Sequence, residues 1–225
     1  MTRVHDMGGR FGDGPVIPEP QGIAQFGADW HGRAMAITLA CGALGQWNID
    51  VSRHAREKLS PKDYSRFSYY EKWIAGLADM LVDTGVLDAD DLRGRGDDTP
   101  HPLADRAMQV GDVAPVFARG APADRDAGVA PLFSVAQLVR TARPAANRLV
   151  DGGHTRLPAY AQGAVGRILR LHGNHVLPDS NAHRLGEAPE PLYAVAFAAS
   201  NLWATAENPR DEIILDLWQS YLEAT

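Results

Sequence analysis

Residues 68–85 read SYYEKWIAGLADMLVDTG, and this stretch decides the helical half of the fold. Ser68 and Glu71 stand at capping-box spacing, where a hydroxyl serves the backbone three residues on and a carboxylate reaches back. Gly85 stands where a helix end needs a residue free to take left-handed backbone. Between them Tyr70, Ile74, Leu77 and Leu81 recur at i, i+4, i+7 and i+11, which predicts a core-facing stripe. Tyr69, Trp73 and Met80 form a second apolar row on one shoulder of that stripe.

Upstream, helical signals begin near Asp29 and run through WHGRAMAITLACGAL until Gly45 stops them. Asn48 is placed to cap IDVSRHAREKL, and Ser60–Pro61 restarts a short helix with proline in its tolerated first position. Residues 1–26 are Gly- and Pro-rich and read as a disordered tail or as an extended arm with Phe11, Val16, Ile17 and Phe26 as apolar anchors, and the arm is expected. Residues 27–93 then form a helical domain whose last short helix starts at Asp88. From 94 to 131 the chain is rich in Gly, Pro, Ala, Asp and Arg; it reads as an irregular linker with a helical turn around Leu103–Val110.

Beyond the linker, over 132–225, the period changes to two. FSVAQLVRTA, GAVGRILRL, LYAVAFAA and DEIILDLWQSYL are short strand candidates between turn residues, suggesting a small antiparallel barrel or roll. The expected class is therefore α+β: an extended N-terminal arm and helical domain, followed by a β-roll.

The 225 residues carry a formal charge of −6, which lacks the basic footprint of a nucleic-acid binder. The one cysteine, Cys41, lies in an apolar helical run. Alone it excludes an intrachain disulfide framework and a cysteine metal site, and it suits a reducing cytoplasm. No secretory leader or membrane-spanning run is expected. The nucleophile elbow, the P-loop and the paired-histidine zinc motif are all missing. GGRFGDG has no strand before it and no helix after it. His172 and His175 fall at a strand end and loop, and two ligands make no site.

What remains is aromatic and arginine chemistry. In GGHTRLPAY (152–160), glycines and a proline bracket Arg156 on a stem of restricted backbone. Arg53 lies mid-helix. Either arginine reads as a surface residue or as a planar fork of donors for a fixed oxyanion. Tyr69 and Trp73 read as core or as a pocket wall.

In order, VHDMGGRFGDGPV, GQWNIDVSRH, YYEKW, GGHTRLPAY, the glycines of 163–166, LYAVAF, NLW and DLWQSYLE resemble the β subunit of nitrile hydratase along nearly the whole chain. The resemblance implies an SH3-like β-roll in the second half and an obligate α subunit, as an αβ heterodimer or α2β2 assembly. That partner would hold cobalt(III), in preference to iron(III), on a Cys-Ser-Cys claw with oxidised cysteines; this chain would hold no metal. Carried over, Arg53 and Arg156 donate to the oxygens of those cysteines. Tyr69 and Trp73 line the pocket for a small nitrile, with Ile49 as an apolar wall. Ser52 stands where cobalt-type relatives often have a bulky aromatic, and Lys72 replaces a histidine of some relatives. The alternatives are a metallocentre-maturation or interaction partner, or a thiocyanate-hydrolase-like subunit. An unbroken chain with both halves favours nitrile hydratase. The isolated chain is expected to bind no stoichiometric cobalt or iron, which elemental analysis of the purified chain checks.

Overall fold

Three helix starts read from the sequence, at Asn48, Ser60 and Ser68, are capped as their residues require. In the computed structural model, which describes residues 4–6, 17–96 and 99–225, α1 spans Asp29–Gly42 and α2 spans Ile49–Glu57. The Asn48 side chain accepts from the backbone N–H groups of Asp50 and Val51 at 3.0 and 2.9 Å, satisfying two of the donors a helix start leaves open. Pro61 opens α3, Pro61–Arg66, behind a Ser60 cap. The Ser68–Glu71 capping box opens α4, Tyr69–Asp83, and Gly85 follows its end at φ 69°. The helix expected at Asp88 is a single 3-10 turn, Asp91–Arg93. Between 94 and 131 the chain forms a 3-10 turn at Ala104–Arg106, a helix α5 at Val110–Arg119 and a two-residue strand β1 at Asp124–Arg125.

The buried face of α4 is turned from the predicted stripe. Gly76, Leu77, Met80 and Leu81 are buried, whereas Ile74 is 37% exposed and Tyr70 is half-buried. Gly76 is the cause. A Cβ there would lie 2.9 Å from Cγ of Arg56 and 3.3 Å from its backbone N, so α2 crosses α4 at the glycine and draws the core to that side. Leu77, Met80 and Leu81 then pack with Ala55 and Val86, with Cys41, Leu44 and Trp47 partly buried against them.

Contacts divide the chain into a helical unit ending at Ala121 and a sheet unit beginning at Pro122. In the sheet unit, β2 spans Leu138–Thr141, β3 Val165–His175, β4 Glu190–Ala198, β5 Glu212–Trp218 and β6 Leu222–Ala224. Two short helices, α6 at Pro178–Asn181 and α7 at Ala199–Leu202, sit between strands. The order is β5-β4-β3-β2-β6, every pairing is antiparallel, and β1 pairs with the far end of β3. The hydrogen-bonded path is open, because its ends, β5 and β6, do not pair among the described residues.

DEIILDLWQSYL is not one strand. It breaks at a 3-10 turn, Gln219–Tyr221, that carries the chain from the β4 side of the sheet to β2. Gln219 holds that turn by accepting from the Tyr193 hydroxyl at 2.9 Å and from Leu132 N at 2.8 Å. FSVAQLVRTA is strand only from Leu138, since Ala136 takes φ 70° in a turn before it. β4 is buried on both faces: Tyr193, Val195 and Phe197 on one, Leu192, Ala194 and Ala196 on the other. Of the expected arm anchors, Ile17 is exposed and Phe26 packs its ring 6.0 Å from that of Tyr70. Phe11, Val16, most of the HDMGG start and GGRFGDG lie outside the described residues.

Gly166 tests how tightly this core is filled. A Cβ there would meet Phe197 Cε1 at 2.6 Å and Val195 Cγ1 at 2.7 Å, whereas nothing lies within 4 Å of one at Gly111. Gly166→Ala is expected to cost about 1–3 kcal/mol by overpacking. Urea denaturation should show a lowered midpoint for Gly166→Ala and none for Gly111→Ala; equal midpoints would mean the core has slack.

Candidate functional site

The first turn of α2 holds a buried carboxylate. Asp50 is 3% exposed and takes a 2.9 Å hydrogen bond from Nη1 of Arg53, one turn on. A desolvated carboxylate needs such a partner, and the pair fixes the arginine's direction. The Arg53 side chain remains 43% exposed, and among the described residues only Asp50 takes a hydrogen bond from it. Part of its fork therefore stays available to a ligand or partner.

On the next face of α2, Ile49, Ser52 and Arg56 line a cavity of about 220 Å³ with Leu39, Trp47 and Trp73. Three of the four predicted pocket residues are thus brought together. Tyr69 is not in the lining: it is 64% exposed, with its ring 5.6 Å from that of Trp73. Arg56 is the residue that sequence reasoning missed. Its guanidinium carbon lies 4.8 Å from the centre of the Trp73 ring, its Nε donates to Ser52 O at 3.0 Å, and burial pulls its pKa below the usual range. Its place one turn after Ser52 was visible, but the Trp73 and Gly76 opposite it belong to another helix. Lys72 lies outside this cavity, its ammonium 4.0 Å over the Tyr64 ring.

In the sheet unit, the 152–157 turn is built around buried polar bonds. Gly152 takes φ 66°, and Gly153 leaves no room for a Cβ, which would fall 2.7 Å from His183 Nε2 and 2.9 Å from Asn147 Nδ2. Asn147 donates to His154 O at 2.6 Å and to Asp179 O at 2.9 Å, and accepts from Leu149 N and Val150 N. His154 N donates to His183 Nε2 at 3.0 Å. Arg156 N donates to the Tyr221 hydroxyl at 3.1 Å, and that hydroxyl donates to Asp179. Thr155 hydrogen-bonds to the same carboxylate. With His154, Thr155 and Leu157 buried, the turn is fixed on both sides of Arg156, whose exposed side chain bonds to none of the described residues.

His172 lies within β3, where Nε2 pairs with Asp216 Oδ1 at 3.0 Å. Among the described residues neither His172 nor His175 belongs to a group of three potential metal ligands.

Asp179 gives this scaffold a pH signature. It is 4% exposed, and burial pushes its pKa up to about 6, against the hydrogen bonds from Tyr221 and Thr155. A carboxyl whose folded value is raised favours folding fully below its unfolded value near 4, and that contribution is lost as pH rises to about 6. Wild type should therefore gain stability relative to Asp179→Asn as pH falls from 6 to 4, by on the order of 3 kcal/mol. Urea midpoints of both proteins across that window check it; a difference that does not change with pH would place the titration elsewhere.

Residues 1–117 match the family described as nitrile hydratase beta subunit, N-terminal, and residues 122–224 match nitrile hydratase beta subunit, C-terminal. Individual relatives extend over the whole chain. The low-molecular weight cobalt-containing nitrile hydratase subunit beta of Rhodococcus rhodochrous is 32% identical, covering 99% of each chain. A nitrile hydratase subunit beta of Rhodococcus sp is 35% identical over 99% of this chain and 95% of its own. The cobalt-containing nitrile hydratase subunit beta of Pseudonocardia thermophila is 32% identical over 99% of this chain and 96% of its own. With both halves matched in order and at full length, the chain belongs to the nitrile hydratase beta subunit family.

Proposed function

We propose that this chain is the β subunit of a cytoplasmic nitrile-hydrating enzyme, active only with an α subunit in an αβ or α2β2 assembly, its sheet unit an SH3-like roll. The observation that carries the reading is the pair of anchored arginines in a chain matched end to end by nitrile hydratase β subunits. No helix among the described residues is long and apolar enough to cross a membrane.

The family implies a metal, cobalt(III) in preference to iron(III), as the names of the cobalt-containing relatives support. The lone thiol of this chain does not suit holding it. Cys41 is half-buried and burial pushes its thiol up, away from the thiolate that ligation needs. The residues suit a neighbouring role instead, as cationic forks toward anionic oxygens on the partner. When held by the α subunit, the metal supplies Lewis-acid polarisation of the nitrile. Arg53, aimed by Asp50, and Arg156, held out by its braced turn, donate hydrogen bonds to the oxygens of the partner's oxidised cysteines and keep those groups oriented. Ile49, Ser52 and Trp73 receive the nitrile's tail and exclude water around it, with Tyr69 against the outer side of Trp73.

Arg→Lys keeps the charge but loses the planar fork. Arg53→Lys and Arg156→Lys are each expected to lower kcat about 10- to 100-fold, the span of a lost charge-assisted hydrogen bond. The double variant should fall little further, because both act on one anionic unit. The measurement is kcat of each variant, co-purified with the α subunit and normalised to metal content. Full activity of Arg156→Lys at normal metal loading would make its turn ordinary surface.

A further inference from the structure

Arg56 is built into the α2–α4 packing at some cost. A mid-helix glycine is unfavourable by about 1 kcal/mol relative to alanine, yet Gly76 sits inside α4, where a Cβ would strike the Arg56 stem at 2.9 Å. The head is fixed as well: Nε on Ser52 O at 3.0 Å, Nη2 at 3.4 Å from Ser52 Oγ, and the guanidinium 4.8 Å from the centre of the Trp73 ring. What this cation lacks is a carboxylate in direct contact: Glu57 favours its charge only through space. Asp50 is taken by Arg53 at 2.9 Å, Glu57 lies 3.5 Å from His54, and among the described residues no carboxylate pairs with Arg56. Its Nη1 likewise donates to none of them.

Arg56 is also the single charged residue lining the cavity of about 220 Å³, whose other walls include Leu39, Trp47, Ile49 and Trp73. A half-buried guanidinium with an unfilled donor and no carboxylate in hydrogen-bonding contact is stabilised by an incoming acceptor, most by a charged one.

We infer that Arg56 selects nitriles bearing a carboxylate on the tail, receiving that group within the cavity while the nitrile carbon stays outside it. This rests on the cavity being the nitrile pocket. A short ω-cyano carboxylate matches it: apolar methylenes against Ile49 and Trp73, and an anion for the fork. A neutral tail of the same shape leaves the cation unsatisfied, and sites built on a polar group discriminate strongly against ligands lacking the partner.

The test compares 4-cyanobutanoate with 5-oxohexanenitrile, in which a neutral acetyl group replaces the carboxylate at nearly the same shape. The readout is the ratio of their kcat/KM values in the complete complex with the α subunit. Wild type should favour the carboxylate, and Arg56→Gln should lower the ratio about 10- to 100-fold, chiefly through KM. Arg56→Lys, which keeps the charge, should restore part of it. A wild-type ratio at or below one overturns the inference whatever the variants do, as does a ratio unchanged in Arg56→Gln. Hydration of the ketone without a carboxylate preference removes only the role of Arg56. Failure of the metal-loaded complex to hydrate either compound or acetonitrile removes the nitrile-hydrating reading beneath it.

Discussion

The hydrogen bond from the Tyr221 hydroxyl to Asp179 ties together parts of the sheet unit that are far apart in sequence. Tyr221 closes the 3-10 turn between β5 and β6, Asp179 lies in α6, and the same hydroxyl accepts from the backbone of Arg156. Both side chains are buried, so neither has water to replace a lost partner. Burial and the neighbouring carboxylate push the Tyr221 phenol up, which keeps it a donor. The network therefore acts as a brace: Thr155 on the carboxylate, Asn147 on the backbone of both His154 and Asp179, and Arg156 left pointing out of it. A surface arginine on an unbraced loop would have to be ordered each time it met an anion; here much of that entropy is lost on folding.

The helical unit meets the same demand with a different device. Gly76 lets α2 approach α4 closely, and this contact sets the register of everything on α2. Asp50 turns inward and orients the exposed Arg53, Ser52 and Ile49 face a cavity, and Arg56 lies across the glycine with its head on Trp73. One missing methyl group thus orders a buried carboxylate, an oriented arginine and a cavity wall. It also explains why Tyr69 stands apart: the face of α4 that meets α2 carries Trp73 and Gly76, while Tyr69 opens to solvent at the helix start.

Much of this was legible in the sequence because it is local. Asn48, Ser60–Pro61, the Ser68–Glu71 pair and Gly85 act within one turn of themselves, so the starts of α2, α3 and α4 follow from spacing alone. The change of period after the linker gave the helical-then-sheet order, and the family resemblance, spread over short motifs in order, named the arginines and aromatics to look for. Where a feature depended on a residue from another element, the reading failed. The stripe through Ile74 was misplaced because Gly76 drew α2 to the other side. The single strand DEIILDLWQSYL broke because Gln219 bonds to Tyr193 and Leu132.

By itself, then, the sequence determined the capped helices, the α+β class, the lone thiol and membership of a family through ordered motifs. Only the tertiary structure decided that Ile49, Ser52 and Trp73 share one cavity, that Arg56 joins them with no carboxylate in contact, and that Arg156 stands on a buried brace. The reason is physical. Caps and periodicity are satisfied by neighbours a few residues away, whereas a cavity wall or a buried hydrogen bond needs partners such as Arg56 and Trp73, or Asp179 and Tyr221, that meet only when separate elements pack.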